Sequence, residues 1–306
     1  MQVSSPERIM FPEIGLTKAA MVGYYETMAD LIFPFLVARP LTLERYPRGI
    51  AGKGFMQKNA ADHFPATIAR FEVPKSDGSS TLFPAITAPG DVAYLANQGT
   101  VSFHIWTSRV LDGGRGRDID RPDYFVMDLD PEEGDIEQAR SATKAVRQVL
   151  SSFGVESVPV ATGSKGYHVW APIVPEVRWE DVATSAQAIA GLVVAANPDL
   201  ATTEFLKRNR KGRVFVDWMR NHPGASVVSP FSIRPRPRAS VSTPITWTEL
   251  ASTAPDHWTV ANMSERILTL PTWPVPSTLP FSDIEAAARN AGVDLDTRFD
   301  RFGRES

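Results

Sequence analysis

Two aspartates at the end of an apolar run are the first candidates for chemistry in this sequence. The run occupies residues 124–127, and Asp128, Leu129 and Asp130 follow it directly. Because successive side chains of a β-strand point to opposite faces, Asp128 and Asp130 would lie on the same face of a strand. Pro131 cannot donate to a ladder, so the strand should end there and leave both carboxylates at its rim. Two carboxylates so close repel each other unless one is protonated or a cation lies between them.

A divalent metal ion is the natural partner of such a pair, although an Asp-x-Asp sequence is also common in solvated turns. A third acid, Asp217, follows a second apolar run at residues 214–216. The sequence has no cysteine, and its five histidines show no metal-pair spacing, so a disulfide, a thiolate zinc site and a cysteine nucleophile are excluded. Oxygen ligands favour Mg²⁺ or Mn²⁺. We therefore predict a two-metal site formed by Asp128, Asp130 and Asp217.

Two further segments carry groups that bind phosphate. The first reads Thr-Gly-Ser-Lys-Gly-Tyr-His at residues 162–168, where glycines allow a close approach of the backbone and Ser164 and Lys165 donate hydrogen bonds. Its order differs from that of a Walker loop. The second, residues 227–238, is predicted to be a strand with Arg234 and Arg236 on one face, and guanidinium groups match phosphate oxygens in pairs. With the three acids, these groups predict nucleotidyl transfer, since two metal ions about 3.5–4 Å apart can stabilise the attacking and leaving oxygens.

Composition and charge set the class of the protein. The chain has 306 residues, of which 43% are hydrophobic and 22% charged, as in an ordinary globular protein with a sizeable core. Its net charge is −3, so contacts with nucleic acid must come from local basic clusters. The first residues lack the apolar core of a signal peptide, and no apolar run is long enough to span a bilayer. These features predict a cytoplasmic protein without a membrane segment.

The elements that would position these residues alternate along the chain. Predicted helices occupy residues 16–38, where Thr17 is a cap, and about 91–98, 135–153, 179–196 and 284–291. Predicted strands occupy about residues 41–49, 101–106, 124–130, 155–160, 214–218 and 227–238, with a hairpin within residues 71–90. Residues 111–120 are predicted to be a basic loop, and residues 207–213 a solvated basic turn.

Four ordered segments resemble the polymerase domain of bacterial ligase D, a branch of the archaeo-eukaryotic primase superfamily. They are residues 125–131, 162–168, 214–218 and 230–236. The resemblance extends from about residue 6 to residue 270 and implies the α+β class, with a two-lobed primase-like fold in which helices flank an RRM-like catalytic sheet. Residues 1–270 would form the catalytic domain, with an N-terminal lobe at about 1–120 and a metal-binding lobe at about 121–245. Residues 271–306 would form a Pro-rich crossing and a C-terminal helix.

The resemblance also implies an activity. The protein would be a template-dependent nucleotidyltransferase that adds NTPs, with a preference for ribonucleotides, to DNA primers and gaps during non-homologous end joining. It would use Mn²⁺ or Mg²⁺, bind gapped, primed or broken DNA together with NTP or dNTP, and act as a nucleoid-associated monomer. Ku and a separate ligase are the implied protein partners. Whether the chain also acts as a primase or fills gaps in base excision stays open.

By position, the resemblance assigns a role to each candidate residue. The metal ligands are Asp128, Asp130 and Asp217. The contacts to the incoming nucleotide are Ser164, Lys165, His104, Phe55, Arg234 and Arg236. The contacts to DNA and to its downstream 5′-phosphate are Arg8, Lys18, Arg45 and Lys58. Two positions depart from the family pattern: Glu44 stands beside Arg45 where a basic residue is expected, and Met56 replaces an aromatic residue beside Phe55.

Less specific interpretations stay open for several residues and for the chain. Arg8 and Lys18 are also consistent with solvated cations, Phe55 and Met56 with core residues, and His104 with a structural histidine. The whole chain is compatible with a non-catalytic DNA-end-binding module that keeps the fold. It is also compatible with a metal-dependent phosphoesterase, which would release nucleotide instead of extending a primer.

Overall fold

The computed structural model describes residues 2–74, 78–110, 118–132 and 135–296. Most of the predicted basic loop at 111–120 and the end of the predicted tail, residues 297–306, lie outside the described residues. The chain forms two compact units, and both are discontinuous in sequence. The first unit comprises Met1–Ile119, Ser226–Thr243 and Asp256–Thr269, and the second unit comprises Asp120–Ala225, Pro244–Pro255 and Leu270–Ser306. Each unit combines helices with sheet, which confirms the predicted α+β class.

The described residues contain eight α-helices and fourteen strands. The helices are α1 (Lys18–Thr27), α2 (Ala29–Leu36), α3 (Gly90–Asn97), α4 (Ile136–Ser152), α5 (Trp179–Ala196), α6 (Lys207–Arg210), α7 (Met263–Ile267) and α8 (Phe281–Asn290). The strands are β1 (Ile9–Phe11), β2 (Leu16–Thr17), β3 (Leu41–Arg45), β4 (Phe55–Gln57), β5 (Ala69–Pro74), β6 (Ser80–Ala85), β7 (Thr100–Ile105), β8 (Tyr124–Asp130), β9 (Val158–Ala161), β10 (Tyr167–Pro172), β11 (Ala201–Thr202), β12 (Val214–Asp217), β13 (Val227–Val228) and β14 (Thr243–Pro244). None of the described helices is long and apolar enough to cross a lipid bilayer.

The first unit is built on a four-stranded sheet with the order β13-β7-β3-β4. Strands β3 and β7 are antiparallel, with Leu43 opposite Phe103. Tyr25 of α1 is fully buried, packs edge-on against Phe103 at 5.1 Å between ring centroids, and donates to the carbonyl of Val101 at 2.6 Å. The predicted hairpin is β5 paired with β6. The helix and sheet of this unit are therefore joined by both apolar packing and a buried hydrogen bond.

The second unit is built on a six-stranded sheet with the order β11-β12-β8-β10-β9-β14. Strand β8 lies inside the sheet and pairs antiparallel with both β10 and β12. One face of β8 is apolar, because Phe125, Met127 and Leu129 are fully buried in the core that contains side chains of α4 and α5. The alternation of the strand turns Asp128 and Asp130 to the opposite face. The predicted strand therefore forms, with its two acids away from the core.

The segment at residues 16–38 is two helices instead of the single helix predicted. Thr17 caps α1 as expected, since its side chain accepts from the Ala20 amide at 3.2 Å. The chain departs from helical geometry at Met28, with φ −88° and ψ 0°, and α2 then begins at Ala29. Pro34 lies within α2, where it lacks the amide that would complete a helical hydrogen bond. Apolar periodicity continues through the break, and this is why the pattern alone predicts one helix.

The prediction of a strand at residues 227–238 is wrong beyond its first two residues. Only β13 is a strand, and a left-handed backbone at Phe231, with φ 65°, ends its extension. The Arg236 amide donates to the carbonyl of Arg234 at 2.7 Å, which closes a tight turn. Pro235 and Pro237 have no amide to donate, so a ladder cannot form here. Arg234 and Arg236 consequently do not alternate along a strand as the sequence pattern predicts.

The basic run at residues 207–213 is not simply a solvated turn. Residues Lys207–Arg210 form the short helix α6, and Arg210 is buried. Its guanidinium lies 4.1 Å from the ring centroid of Phe215, and its Nε donates to the carbonyl of Glu204 at 3.0 Å. Stacking on the Phe215 ring and hydrogen bonds to backbone carbonyls together offset the cost of burying the Arg210 guanidinium.

Candidate active site

Three neighbouring strands of the second unit bring Asp217, Asp128 and His168 into one row. Asp128 of β8 lies directly opposite Asp217 of β12 on one side and His168 of β10 on the other. Side chains at directly opposed positions share a face of the sheet. All three residues are buried, and Asp130 is half-buried two residues further along the same face. The structure therefore brings together the three predicted acids and adds a histidine to them.

Arg220 contacts two of these acids at once. Its Nη2 lies 3.1 Å from Asp128 Oδ2 and 2.9 Å from Asp217 Oδ2, and its Nε donates to Asp128 Oδ2 at 3.1 Å. Arg220 lies in the single 3₁₀ turn Met219–Asn221 that follows β12. The sequence analysis missed this residue. The available signal was an arginine three positions after an acid at the end of a strand, where a tight turn brings the two together.

The turn that carries Arg220 is held by backbone and side-chain hydrogen bonds. The Met219 amide donates to Asp217 Oδ1 at 2.9 Å. The side chain of Asn221 pairs with the main chain of Val126, donating to its carbonyl at 2.7 Å and accepting from its amide at 2.8 Å. These bonds tie the turn to β8, so the base of the Arg220 side chain has a fixed position.

His168 contacts the second oxygen of Asp128. Its Nε2 lies 3.4 Å from Asp128 Oδ1, and its Nδ1 accepts from Trp170 Nε1 at 3.4 Å. Because Nδ1 is the acceptor, the proton of a neutral imidazole lies on Nε2 and faces the carboxylate. Trp170 is fully buried, which fixes its indole in place. His168 therefore presents a donor to Asp128.

The carboxylates have unequal pKa values. Burial, together with the negative charges of Asp128 and Asp130, raises the pKa of Asp217 to about 6 against the opposing effect of Arg220. Burial and the neighbouring Asp128 also raise the pKa of Asp130. Burial alone would raise the pKa of Asp128 too, but His168 and Arg220 hold it below its usual range. One guanidinium thus balances only part of the negative charge that three carboxylates bring to the site.

The donor chemistry of this site suits a divalent cation. Three carboxylates on one sheet face supply oxygen ligands and an excess of negative charge, the features that Mg²⁺ and Mn²⁺ sites share. Across the residues that the structure describes, however, no group of three or more His, Asp or Glu side chains is arranged to hold an ion. The contacts of Arg220 explain why suitable ligands are present but not arranged around an ion, because Asp128 and Asp217 both face its guanidinium. The acids fit a metal by type and charge, and they would have to turn away from Arg220 to ligate it.

The turn between β9 and β10 carries Ser164 and Lys165 beside the end of β8. Thr162 Oγ1 donates to the carbonyl of Gly166 at 2.7 Å and accepts from the Ser164 amide at 3.3 Å. A Cβ atom at Gly166 would lie only 1.9 Å from the carbonyl oxygen of Leu129, so the turn packs directly on the strand of the acids. Ser164 is half-buried and Lys165 is exposed. Both are thus carried by the same unit as the acids, one turn from their strand.

His104 and Glu44 form a polar pair in the first unit. His104 Nε2 lies 3.4 Å from Glu44 Oε2, and the Tyr46 hydroxyl donates to Glu44 Oε1 at 3.1 Å. Burial opposes ionisation of Glu44, but the hydrogen bond and charge of His104, with help from Arg234, lower its pKa. Arg234 is half-buried and Arg236 is exposed. Glu44, the departure from the family pattern, is therefore in contact with a predicted nucleotide-binding residue.

A cluster of cations surrounds the start of α1 in the first unit. Lys18 is only 4% exposed, so it is not the solvated cation of the less specific interpretation. Its Nζ donates to the Ser4 carbonyl at 2.8 Å and to the Ser4 hydroxyl at 2.7 Å. Burial lowers the pKa of Lys18, and the positive charges of Arg8 and Arg45 lower it further. Such a concentration of positive charge suits an anion.

The aromatic candidate of the first unit is at an edge strand. Phe55 on β4 is 47% exposed and Met56 is 48% exposed, so neither is a core residue. The guanidinium of Arg45 lies 5.5 Å from the Phe55 ring centroid. Lys58 is exposed one residue after β4. This edge of the first unit therefore presents an exposed aromatic ring with a cation on either side of it in sequence.

An α+β fold, with three acids on one sheet face and a glycine-bounded turn of donors beside them, is the arrangement that the class of metal-dependent nucleotidyltransferase domains requires. Within that class, residues 17–273 match the model of the family described as LigD, primase-polymerase domain. The chain belongs to this family. The resemblance and the α+β class stated from the sequence are both confirmed, and the polymerase interpretation is favoured over the end-binding module and the phosphoesterase.

Relatives in several bacteria agree with this assignment. The chain is 29% identical over 268 residues to the multifunctional non-homologous end joining protein LigD of Mycolicibacterium smegmatis, covering 87% of this chain and 34% of that protein. It is 30% identical over 270 residues to the bifunctional protein LigD of Bacillus subtilis, covering 87% of this chain and 42% of that protein. The chain therefore spans less than half the length of these relatives.

A solved structure supports the same family. The polymerase domain from Mycobacterium tuberculosis ligase D, determined in complex with DNA, superposes with a TM-score of 0.82 at 29% sequence identity. The match covers 88% of this chain and 94% of that chain. The fold is thus shared over nearly the whole of that polymerase domain.

Proposed function

We propose that this protein is a DNA-directed nucleotidyltransferase that adds NTPs to DNA primers and gaps during end-joining repair. The observation that carries the proposal is the shared fold with a polymerase domain solved on DNA, over 94% of that chain. In this proposal residues 1–270 contain all the catalytic groups, and the protein prefers ribonucleotides. It works as a nucleoid-associated monomer with Ku and a separate ligase.

Metal ions belong to this proposal, because polymerase domains of the family depend on a metal. Asp128, Asp130 and Asp217 would hold Mn²⁺ or Mg²⁺, which when bound neutralises charge on the triphosphate and on the attacking oxygen. His168 donates to Asp128 and keeps that carboxylate ionised and oriented for its role. Burial of Asp128 and Asp217 limits the access of bulk water to the reacting groups.

The chain's own donors would bind the nucleotide. In the second unit, Ser164 and Lys165 are proposed to bind the triphosphate, supported by the fixed turn on which they lie. In the first unit, Arg234 and Arg236 are proposed phosphate ligands. His104 and Phe55 are proposed contacts to the nucleoside, with Phe55 supplying an exposed ring for stacking.

The first unit would also bind the DNA. We propose that the downstream 5′-phosphate binds to Lys18, Arg8 and Arg45. Burial and the two neighbouring arginines disfavour the charged form of Lys18, and a bound anion would offset the repulsion among the three cations. Lys58 would contact the template strand. These contacts are local, in keeping with a chain whose net charge is −3.

The test uses a gapped duplex with a downstream 5′-phosphate and Mn²⁺, with rNTPs and dNTPs supplied separately. We expect templated extension of the gap, faster with rNTPs. An unprimed single strand in parallel reports primase activity. Asp128→Ala should reduce extension at least about 100-fold, because it removes a ligand of the charge-stabilising metal. An exposed acid of the same unit, changed as Asp283→Asn, is the control and should keep full activity.

Three results would contradict the proposal. Absence of incorporation with every metal would favour the end-binding module. Release of nucleotide without extension would favour the phosphoesterase. Unchanged extension by Asp128→Ala would remove that residue from the chemistry.

A further inference from the structure

All four carboxylate oxygens of Asp128 and Asp217 already have protein donors. Asp128 Oδ1 faces His168 Nε2 and its Oδ2 accepts from Arg220, while Asp217 Oδ1 accepts from the Met219 amide and its Oδ2 contacts Arg220. The carboxylate of Asp130 differs, since among the described residues no side-chain hydrogen bond or ion pair engages it, and Asp130 is only half-buried. The two inner acids are thus engaged by the protein, and the outer acid is available.

Arg220 combines a fixed base with a partly exposed side chain. Its backbone lies in the Met219–Asn221 turn, which Asn221 ties to β8. Its side chain is 35% exposed, whereas the side chains of Asp128 and Asp217 are 12% and 7% exposed. Partial exposure gives the Arg220 side chain access to solvent that the two buried carboxylates lack.

The contact of Arg220 with Asp128 and Asp217 lowers the net negative charge of the site. Three ionised carboxylates and one guanidinium leave a net charge of about −2 at this face, and without Arg220 it would be about −3 in a largely buried site. A guanidinium that donates to two carboxylates is among the stronger polar contacts in proteins. Arg220 thus engages the two carboxylates, Asp128 and Asp217, that would also have to hold a divalent ion.

We propose that Arg220 is a placeholder cation, which bridges Asp128 and Asp217 in the metal-free protein and must be displaced when a divalent ion binds. The inference rests on the proposed metal site and deepens it. Asp130 would offer an ion the carboxylate that the protein does not already engage, and Asp128 and Asp217 would become available to it once Arg220 withdraws. The affinity for metal is then set by competition with a side chain of the protein itself.

A purely structural role for Arg220 predicts a different result. If Arg220 only holds the acids in position for the ion, removing it disorders the ligands and weakens metal binding. If it competes with the ion, removing it frees two carboxylates and strengthens metal binding. The direction of the change in affinity separates the two roles.

The experiment measures binding of Mn²⁺ to the full chain without nucleotide or DNA, by the loss of the free Mn²⁺ signal in electron paramagnetic resonance. Arg220→Gln should bind Mn²⁺ roughly tenfold or more tightly than the unchanged protein, because charge-assisted hydrogen bonds of this type are lost from the competing state. Arg220→Lys should lie between the two, since an ammonium keeps the charge but cannot bridge as a fork.

A matched control removes the same charge elsewhere in the second unit. Arg178 is 58% exposed and lies 3.4 Å from Glu180 Oε2 and 3.9 Å from Asp120 Oδ2. Arg178→Gln should leave the affinity for Mn²⁺ unchanged. Circular dichroism and thermal melting in EDTA check that each variant is folded. Arg220→Gln should melt at a lower temperature than the unchanged protein in EDTA and gain more from added Mn²⁺.

The outcomes distinguish this inference from the proposed function. If the unchanged protein binds Mn²⁺ and both Arg220 variants bind it equally or more weakly, the placeholder role is overturned and the metal site stands. If no protein binds Mn²⁺ at millimolar concentration, the metal site fails and the inference fails with it. Should Arg220→Gln not fold, Arg220→Lys alone decides between tighter and unchanged binding.

Discussion

At the scale of single residues, the acids are the part of the site that the sequence predicts best. An apolar alternation fixes the face on which Asp128 and Asp130 lie, whatever the neighbouring strands are. The positions of His168 and Arg220 were harder to predict. His168 contacts Asp128 because β10 pairs with β8, and the two residues are 40 positions apart in sequence. Arg220 contacts Asp128 because β12 pairs with β8 and is followed by a turn, and these two residues are 92 positions apart. The pattern of apolar and polar residues within one strand does not indicate which other strands it pairs with.

Glu44 should make the stability of the protein depend on pH. Its pKa in the folded protein is lowered, against the effect of burial, by His104 and Tyr46. A lowered pKa of an acid stabilises the fold above the pKa of the unfolded state, and that stability is lost as pH falls. Glu44→Gln should therefore cost about 1 kcal/mol of unfolding free energy near neutral pH. The cost should shrink as pH falls below the ordinary carboxyl pKa of about 4.3 and vanish below the lowered pKa of Glu44 in the folded protein. Urea unfolding at several pH values measures it.

An exposed acid on α1 provides the control for this change. Glu26→Gln should leave the pH profile of the unchanged protein intact. A Glu44→Gln protein whose destabilisation stays the same from neutral pH down to the most acidic pH at which both proteins fold would show that ionisation of Glu44 is not the cause.

At the scale of elements, helices were predicted where cap and periodicity agree. α5 has the predicted bounds, and Asp135 caps α4 by accepting from the Gln138 amide at 3.0 Å. The errors occur where a backbone departure interrupts a continuous pattern. Met28 breaks a long apolar repeat, and the left-handed Phe231 ends a strand although its side chain suits one. Tertiary packing imposes the non-helical backbone at Met28 and the left-handed backbone at Phe231, and neither residue type predicts it.

The glycine beside β8 gives a test of how the donor turn is positioned. In Gly166→Ala the new methyl group would meet the Leu129 carbonyl at 1.9 Å, so the turn must move away from the strand of the acids. We expect a loss of about 1–3 kcal/mol in unfolding free energy and slower primer extension. Thermal melting and single-turnover extension measure these effects.

A glycine of α1 serves as the reference substitution. In Gly23→Ala the added Cβ meets no atom within 4 Å, so the change should be neutral or stabilising by about 0.4–1 kcal/mol. If Gly166→Ala behaves like Gly23→Ala, the turn does not depend on close packing against β8.

At the scale of the whole molecule, charge distribution matters more than total charge. A chain with a net charge of −3 still concentrates Lys18, Arg8 and Arg45 in one unit. Composition alone predicts only that such clusters are required for contact with nucleic acid. Their location had to come from the family resemblance, because no sequence pattern joins Arg45 to Arg8 and Lys18.

Lys18 should discriminate between DNA ends. Lys18→Ala should weaken binding to a gapped duplex with a downstream 5′-phosphate by roughly tenfold, because a charge-assisted contact is lost. Binding to the same duplex with a 5′-hydroxyl should change little. Fluorescence anisotropy with both duplexes measures the difference. Lys144→Ala, which removes an exposed lysine of α4, should bind both as the unchanged protein does. Equal weakening on both duplexes would contradict the assignment of this pocket.

The packing of the last described residues sets a limit on how far the C-terminal end of this chain can be shortened. Leu279, Ile284, Ala288 and Leu295 belong to the buried core of the second unit, and the Ser277 amide donates to the Pro172 carbonyl at 3.1 Å at the end of β10. A recombinant fragment that stops at residue 270 would therefore keep every proposed catalytic group and still expose the apolar side chains of α5 that pack against α8. We expect it to aggregate on expression, whereas a fragment that stops at residue 296 should elute as a single species in gel filtration. A soluble, cooperatively melting 1–270 fragment would show that α8 is dispensable.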